Sequence, residues 1–396
     1  MREVKIRIKD EYIDHIRSGN PLLEKKMFDN TRFLQKEGDV IKIVSMKDRF
    51  LARGYYGIQN KGCGWVLSRH VKQKIDMDFF KKTINAAISR RNHLLMDEGT
   101  TAYRVFNGEG DGIGGLTIDY YDGYYLVQWY SKGIYKFRDE VINTLKKRKP
   151  IKGIFQKKRF GNDGKYIEGS DFILGEYPEW PLVVMQDDIK YAVNLDDGAM
   201  TGVFLDQRQV RRQLKSKYSK GKTVLNTFSY TGAFGVAAAL GGATMTTNVD
   251  LAKRSIELTK EMYAVNELQE FENQIIVDDV FKYFKKAARQ EKTWDVVVLD
   301  PPSFSRSKNF TFSAEKDYGK LLEDVLPLVN EKGIIIASTN SAKMDADKFR
   351  KQISAGFVAA KRRYKVLETL QLPEDFAVDA RYPSSNYLKV MILKVD

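Results

Sequence analysis

Residues 222–240 read KTVLNTFSYTGAFGVAAAL: a basic lead-in, a short apolar run, an aromatic turn closing on Gly232, then a run of small helix formers. A short apolar run followed at once by an alanine-rich segment predicts a buried strand over 222–228 that feeds a helix at AFGVAAAL. The same rhythm continues downstream. ATMTTNVD reads as a second strand, and LAKRSIELTKEMYAVNEL as an amphipathic helix with Ile256, Leu258, Met262 and Val265 on or near one face. QIIVDD and VFKYFKKAARQ form a third pair, WDVVVLD (294–300) a fourth strand and KGIIIAST (332–339) a fifth. Strands alternating with helices of this length imply an α/β unit, a doubly wound parallel sheet with right-handed crossovers. VLETLQL and YLKVMILKV close the chain as a terminal hairpin without an intervening helix.

Upstream the pattern differs. Residues 1 to 73 read as short alternating strands, VKIRIK, GDVIKIVSM and FLARGYYGI, with a helix near EYIDHIRSGN that Gly19 and Pro21 stop. From 74 to 185 the chain reads as α+β. DFFKKTINAAISRRNHLLM places Phe79, Phe80, Ile84, Ala87 and Ile88 at helical spacing with Asp78 as its N-cap. The glycine-rich VFNGEGDGIGG, strand-like LTIDYY and YYLVQWY, and a helix near FRDEVINTLKKR follow. YPEWPLVVMQ, with two prolines, marks the exit to a third unit spanning 186–396. Three domains suit a chain of 396 residues, longer than one ordinary core.

Composition narrows the function classes. No run approaches the roughly 20 apolar residues of a membrane span, and MREVKIRIKD reads as a strand, not a signal h-region. A single cysteine, Cys63, excludes an intramolecular disulfide framework and a thiolate zinc site. The three histidines, His15, His70 and His93, lie in the first quarter, so the remainder has no imidazole for metal or acid–base work. A cytoplasmic, metal-free protein is the simple expectation. The formal charge of +14 is unevenly spread: residues 1–75 hold 17 basic against 9 acidic side chains. Basic clusters recur at KKRK (146–149), QKKR (156–159) and KRRYK (361–365). A polyanion partner accounts for the concentrated N-terminal surplus through phosphate contacts, so nucleic acid is the favoured partner.

In doubly wound sheets ligands bind outside the carboxyl ends of the strands. The first strand ends in Asn226-Thr227-Phe228-Ser229-Tyr230-Thr231-Gly232, where Gly232 lets a ligand approach the backbone or simply makes a tight turn. The absence of G-x-G-x-x-G counts against a dinucleotide. Asp250 ends the second strand, where an acid accepts from ribose hydroxyls or caps a helix. Asp278-Asp279-Val280-Phe281 ends the third; an acid there takes an adenine amino group or caps the VFKYF helix. The fourth strand ends in Asp300-Pro301-Pro302-Ser303-Phe304. Two prolines offer carbonyls in a stiff, extended frame without N–H groups, suited to the amino group of a planar base, and Phe304 can stack on that base. TGVFLDQRQVRR (201–212), with Asp206, Gln207, Arg208 and Arg211, is a candidate clasp for cofactor or substrate.

Together these stretches resemble, over essentially the full length, the PUA-domain-containing S-adenosylmethionine-dependent methyltransferases of large-subunit ribosomal RNA. TGVFLDQR is similar to that family's TG-x-x-LDQR segment, NTFSYTGAFG to its first cofactor motif, DDVF to its adenine-side motif and LDPPSFSRSK to its catalytic motif. VFNGEGDGIGGLTIDYY is similar to its EGD segment. The resemblance implies a PUA-like RNA-binding module, a central domain and a class I methyltransferase domain with a mostly parallel seven-stranded sheet. It implies S-adenosyl-L-methionine held by Phe204, Asp206, Gln207, Arg208, Asn226, Phe228, Tyr230, Thr231, Gly232, Asp250, Asp279, Val280 and Phe281. It places the target base at Asp300, Pro301, Pro302, Phe304 and Asn340, with 23S ribosomal RNA as partner and a homodimer left open.

Two departures bear on the chemistry. Members that make 5-methylcytosine carry a cysteine after the fifth strand, in a segment resembling FSCSGLM; here the run is Ser338-Thr339-Asn340-Ser341-Ala342-Lys343-Met344. Carbon 5 of a pyrimidine is a poor nucleophile and usually needs thiolate addition, whereas a base nitrogen already has a lone pair to align. The family's DHP segment is here Asp375-Phe376-Ala377, while Tyr387-Leu388-Lys389 is kept. Methylation of a base nitrogen is therefore the favoured activity. The alternatives are a 5-methylcytosine enzyme with another nucleophile, an RNA-binding ribosome-assembly factor with a vestigial catalytic domain, and an NAD-dependent oxidoreductase.

Overall fold

A computed structural model describes residues 2–148, 150–161, 171–198, 200–306 and 311–396. Lys149 of the KKRK cluster and Ser307 and Lys308 of LDPPSFSRSK lie outside them. The chain forms two compact units that interleave along the sequence. Unit 1 is Met1–Trp180 with Asn194–Thr201 and Glu374–Ser385; unit 2 is Pro181–Val193, Gly202–Pro373 and Asn386–Asp396.

Among the described residues, unit 1 holds two five-stranded sheets. The first contains β1 (Glu3–Arg7), β2 (Leu22–Leu23), β3 (Val40–Val44), β4 (Phe50–Gln59) and β5 (Gly62–Ser68), in the order β1-β3-β4-β5-β2, with the short helix α1 (Ile13–Arg17) after β1. Alternation in EVKIR turns Val4 and Ile6 inward and Glu3, Lys5 and Arg7 outward. Part of the N-terminal cation surplus is spent locally: Lys5 and Arg7 pair with Asp48, and Arg53 with Glu3. Lys9, Arg17, Lys47 and Lys72 are exposed.

The helices α2 (Met77–Arg90) and α3 (Asn92–Leu95) lead to the second sheet. Its strands are β6 (Ala102–Asn107), β7 (Leu116–Tyr121), β8 (Tyr124–Trp129), β9 (Gly153–Lys158) and β10 (Asp171–Gly175), in the order β10-β9-β8-β7-β6. The crossover between parallel β8 and β9 carries α4 (Lys132–Tyr135) and α5 (Arg138–Leu145). Phe80, Ile84, Ala87 and Ile88 of α2 are buried at the expected spacing. The cap, however, is Asp76, whose carboxylate accepts from Phe79 N at 3.1 Å, and not Asp78. Asp76 has the extended backbone a cap needs, while Asp78 already lies in the first turn.

QKKR does not form a surface patch. Lys157 of β9 is 2% exposed and donates from Nζ to the Gly198 carbonyl at 2.8 Å; burial pulls its ammonium down to about 8. Lys158 pairs with Asp171, and Arg159 donates to Gln128.

Unit 2 opens with the hairpin β11 (Leu182–Gln186) and β12 (Ile189–Val193), which sequence periodicity did not single out. Its two-residue turn, Asp187-Asp188, has both residues at positive φ, the geometry a right-twisted hairpin favours. The helix α6 (Arg208–Gln213) precedes β13 (Thr223–Thr227), α7 (Ala233–Leu240), β14 (Met245–Asp250), α8 (Ser255–Ala264), β15 (Ile275–Val277), α9 (Val280–Arg289) and β16 (Trp294–Leu299). A small hairpin, β17 (Phe304–Arg306) and β18 (Thr311–Ser313), leads to α10 (Ala314–Val325), β19 (Val329–Thr339), α11 (Ala346–Ala359), β20 (Tyr364–Leu370) and β21 (Lys389–Val395). Among the described residues these build a seven-stranded sheet ordered β15-β14-β13-β16-β19-β21-β20. β15, β14, β13, β16 and β19 run parallel, and β21 is antiparallel to both its neighbours. The doubly wound, mostly parallel sheet is thus present. β20 and β21 do pair antiparallel, but their connection is long: its residues Glu374–Ser385 belong to unit 1.

Candidate active site

The sheet reverses its strand order between β13 and β16, and the crevice above their carboxyl ends is the topological switch point. The loop after β13 is tightly coiled: Phe228, Tyr230 and Gly232 all have positive φ. Ser229 N donates to Val249 O at 3.1 Å, Gly232 N to Ser229 O at 2.8 Å, and Thr231 Oγ1 to Gly202 O at 2.7 Å. Glycine is required at 232 twice over, by its φ of 76° and because a Cβ would stand 2.5 Å from Thr259 Cγ2. The space Gly232 leaves is filled by α8, so its demonstrated contact is with the fold.

Asp250 organises the same loop from the next strand. Its Oδ2 accepts from Tyr230 N and its Oδ1 from Ala252 N, at 2.8 and 2.9 Å. The second bond makes a turn of residues 251–254 and delays α8 to Ser255. Leu251, beside the acid, is 61% exposed, and Phe204, 41% exposed, packs its ring 5.5 Å from that of Tyr230. After β15, Asp279 Oδ1 takes both cap bonds of α9, from Phe281 N and Lys282 N. Val280 is buried in the core, and the Phe281 ring lies 6.2 Å from Phe228 and 5.7 Å from Phe312.

Asn226 lies elsewhere. It is 1% exposed, and its Nδ2 donates to Asn248 Oδ1, which belongs to an amide that donates in turn to Tyr263 Oη. This buried ladder joins β13, β14 and α8 under α7, where Gly235 allows a close approach.

Asp300, half-buried at the end of β16, is the electrostatic centre. Gln207 donates from Nε2 to Asp300 Oδ1 at 3.0 Å and to Ser338 Oγ at 2.8 Å. Burial pushes the Asp300 carboxyl up to about 6 from an ordinary 3.8, and the Asp206 charge acts in the same direction; hydrogen bonds to Ser338 and Gln207 hold it back. Ser338, which has no base near it in sequence, therefore has one in space. Asp206 in turn accepts from the Tyr387 hydroxyl at 2.9 Å. Arg208 and Arg211 are buried beneath this segment, and Arg211 donates to Phe204 O at 3.0 Å and to Gln186 Oε1 at 2.5 Å.

Pro301 is buried, Pro302 is exposed, and Phe304 on β17 is 62% exposed, open to stacking. Ser303 Oγ donates to Asn340 Oδ1 at 2.5 Å, so the DPPSF turn and the residue after β19 meet directly. Lys389 of β21 donates from Nζ to Ser341 O at 2.8 Å and to Tyr387 O at 2.9 Å.

The structure thus clusters Phe204, Asp206, Gln207, Phe228, Tyr230, Thr231, Gly232, Asp250, Phe281, Asp300, Phe304 and Asn340 about one sheet edge, while Asn226 and Val280 face the interior. Ser303, Ser338, Tyr387 and Lys389 escaped the sequence reading as members of the site. Tyr387-Leu388-Lys389 was the available signal, yet only the β19–β21 pairing shows which loop it meets.

Comparison with known proteins follows this architecture. A family description, S-adenosylmethionine-dependent methyltransferase, matches residues 104–385, and a PUA-like domain matches residues 6–69. The chain is 50% identical over 389 residues, 98% of each protein, to YwbD of Bacillus subtilis (strain 168), provisionally named a ribosomal RNA large subunit methyltransferase. It is 31% identical over 362 residues, 90% of each, to ribosomal RNA large subunit methyltransferase I of Shewanella frigidimarina (strain NCIMB 400). The crystal structure of SMU.776, provisionally described as a methyltransferase and solved with SAH, superposes with a TM-score of 0.90 at 40% identity, covering 100% of both chains. With the sheet order, the edge residues and near-complete alignment in agreement, the chain belongs to the S-adenosylmethionine-dependent methyltransferase family that carries an N-terminal PUA-like domain.

Proposed function

We propose that this protein methylates a base nitrogen of large-subunit ribosomal RNA, 23S in bacteria, using S-adenosylmethionine. The RNA class is taken from the names of the relatives and suits a PUA-like domain with exposed cations. We further propose that residues 1–73 grip RNA, that 74–185 form a central domain, and that 186–396 carry the chemistry.

The edge of the unit 2 sheet suits the cofactor. Asp250 offers a carboxylate for ribose hydroxyls, exposed Leu251 and half-buried Phe281 offer apolar surface for adenine, and Asp279 keeps Oδ2 clear of its two cap bonds. Gln207 Oε1 is buried without a hydrogen-bond partner, an acceptor suited to an ammonium group. Bound S-adenosylmethionine supplies an electrophilic methyl group.

The observation that carries the nitrogen reading is the Ser303–Asn340 hydrogen bond at 2.5 Å. Because the serine hydroxyl donates to Oδ1, the amide presents Nδ2 elsewhere, as a donor to an acceptor on the base edge. Asp300 and the carbonyls of the proline pair accept from an exocyclic amino group, and Phe304 stacks on the ring. An Asp300 carboxyl near 6 is ionised at neutral pH yet basic enough to take up a proton released as the nitrogen is alkylated. No thiolate is needed, and Cys63 is buried in unit 1 with its thiol pushed up to about 11 by burial.

The test is mass spectrometry of nucleosides from 23S ribosomal RNA incubated with the purified protein and S-adenosylmethionine, and from wild-type and deletion strains. An N-methylated nucleoside is expected. Formation of 5-methylcytidine, abolished by Cys63→Ala, would sink the proposal; cofactor binding without methyl transfer to any RNA would favour an assembly factor.

A further inference from the structure

Tyr387 and Lys389 stand two residues apart, Tyr387 just before β21 and Lys389 as its first residue. Leu388 between them is fully buried in the core with Val224 and Ile336, and Tyr387 packs against the same cluster. Tyr387 donates its hydroxyl to Asp206 Oδ2 at 2.9 Å. Lys389 lies directly opposite Thr339 in the ladder and reaches past it to donate to Ser341 O at 2.8 Å. Ser341 follows Asn340, the residue that Ser303 meets at 2.5 Å. One strand entry therefore reaches both flanks of Asp300: Asp206, next to Gln207, on one side, and the Asn340 loop on the other.

Burying an ammonium costs desolvation that an apolar side chain of similar length would avoid. Burial indeed lowers the Lys389 pKa, with the Asp345 carboxylate opposing the shift. What the lysine gains is two backbone carbonyls, of Ser341 and Tyr387, which no apolar side chain could hold. Met344 and Phe349 pack the core behind the same loop, so its filling does not depend on the charge.

We propose that Lys389 and Tyr387 are positioning residues for methyl transfer: Lys389 fixes the Asn340 amide against the DPPSF turn, and Tyr387 fixes Asp206. The inference rests on the base-methylation reading above. Lys389 acts through the Ser341 carbonyl and Tyr387 through the Asp206 carboxylate.

The experiment compares Lys389→Met, Lys389→Arg and Tyr387→Phe with wild type, measuring the S-adenosylmethionine dissociation constant by calorimetry and kcat and KM with 23S ribosomal RNA. In Lys389→Met, cofactor affinity stays within about twofold while kcat falls roughly 10- to 100-fold, the scale of an about 1 Å misplacement of a reacting group. Lys389→Arg, which keeps the charge and the donors, restores most of kcat. Tyr387→Phe, which keeps the ring, lowers kcat by a smaller factor at unchanged cofactor affinity. Full kcat in Lys389→Met, or a parallel loss of cofactor affinity and kcat that arginine does not rescue, overturns the inference. If Lys389→Met does not fold, Tyr387→Phe decides: a lowered kcat with intact cofactor binding supports it, wild-type kcat overturns it. A wild-type protein that methylates no RNA sinks the functional reading, and this inference with it; wild-type methylation with a fully active Lys389→Met sinks the inference alone.

Discussion

Asp300 shows how one side chain can serve chemistry at the expense of stability. Its native pKa, about 6, lies above the ordinary 3.8, so folding favours the protonated form. The native state is then fully stabilised below about pH 4 and loses that contribution as pH rises through about 6. Asp300→Asn removes the penalty, keeps an oxygen for the Gln207 donor, and should melt at or above the wild-type temperature at pH 8, with the advantage fading toward pH 4. The same variant should lose roughly 100-fold or more in kcat at nearly unchanged cofactor affinity. In the wild type, kcat/KM should fall as pH drops below about 6, where the carboxylate takes its proton. A pH-independent kcat/KM between 5 and 8, or a destabilised Asp300→Asn, would contradict this assignment. The carboxyl itself was legible as a strand-end acid before two prolines. Its environment was not, because Gln207 and Ser338 are 93 and 38 residues away in the chain and only the sheet brings them to it.

At the scale of elements, the period-2 and period-3.6 patterns marked what lies inside, and the caps were less readable. The helical spacing predicts Asp78 as the cap of α2, but the backbone of Asp76, extended at φ −139°, makes Asp76 the cap and places Asp78 in the first turn. Asp76→Ala should therefore cost about 1 kcal/mol in urea denaturation, while Asp78→Ala should stay within about 0.5 kcal/mol of wild type. Equal losses would show that both acids serve the helix end. The loop after β13 illustrates the opposite case. Gly232 was noted for either a ligand or a turn, and the structure shows a turn made obligatory by Thr259 of α8. Two aromatic residues there, Phe228 and Tyr230, hold positive φ, a conformation that costs of order 1 kcal/mol or more each. Nothing local would reveal this strain; the Asp250 and Val249 hydrogen bonds from the neighbouring strand impose it.

Across the molecule, the connection between β20 and β21 decides more than a terminal hairpin would. Its residues Glu374–Ser385 are part of unit 1, where Arg91, 3% exposed, donates to Asp375 O at 2.8 and 2.6 Å and pairs with the buried Asp111. Arg104 N donates to Asp375 Oδ2 and Asn107 Nδ2 to Ala377 O. The EGD segment is thus a structural clasp: Asp111 organises the arginine, and a Cβ at Gly110 would stand 1.9 Å from Ala377 O. Arg91→Met leaves the Asp375 carbonyl without its arginine donor and removes one of two arginines from Asp111, which keeps Arg90 and Asn107 N, and should destabilise the protein by about 1–3 kcal/mol in denaturant unfolding. A loss below about 1 kcal/mol would show that the buried pair does not hold the segment.

The sequence by itself determined the α/β alternation of residues 222–339, the order of the acids along it and the resemblance that named the cofactor. These are local patterns, written in spacing and composition, and each strand end carries its own signal. Only the tertiary structure decided that QKKR is largely internal, that Asn226 faces a buried amide ladder, and that Ser303, Asn340, Tyr387 and Lys389 join around Asp300. Such contacts link residues from 2 to 181 positions apart, and whether a polar side chain meets a ligand, a helix end or a distant strand depends on the pairing of β13, β16, β19 and β21. Sheet pairing is set by the burial of all the strands at once, so no single stretch of sequence contains it.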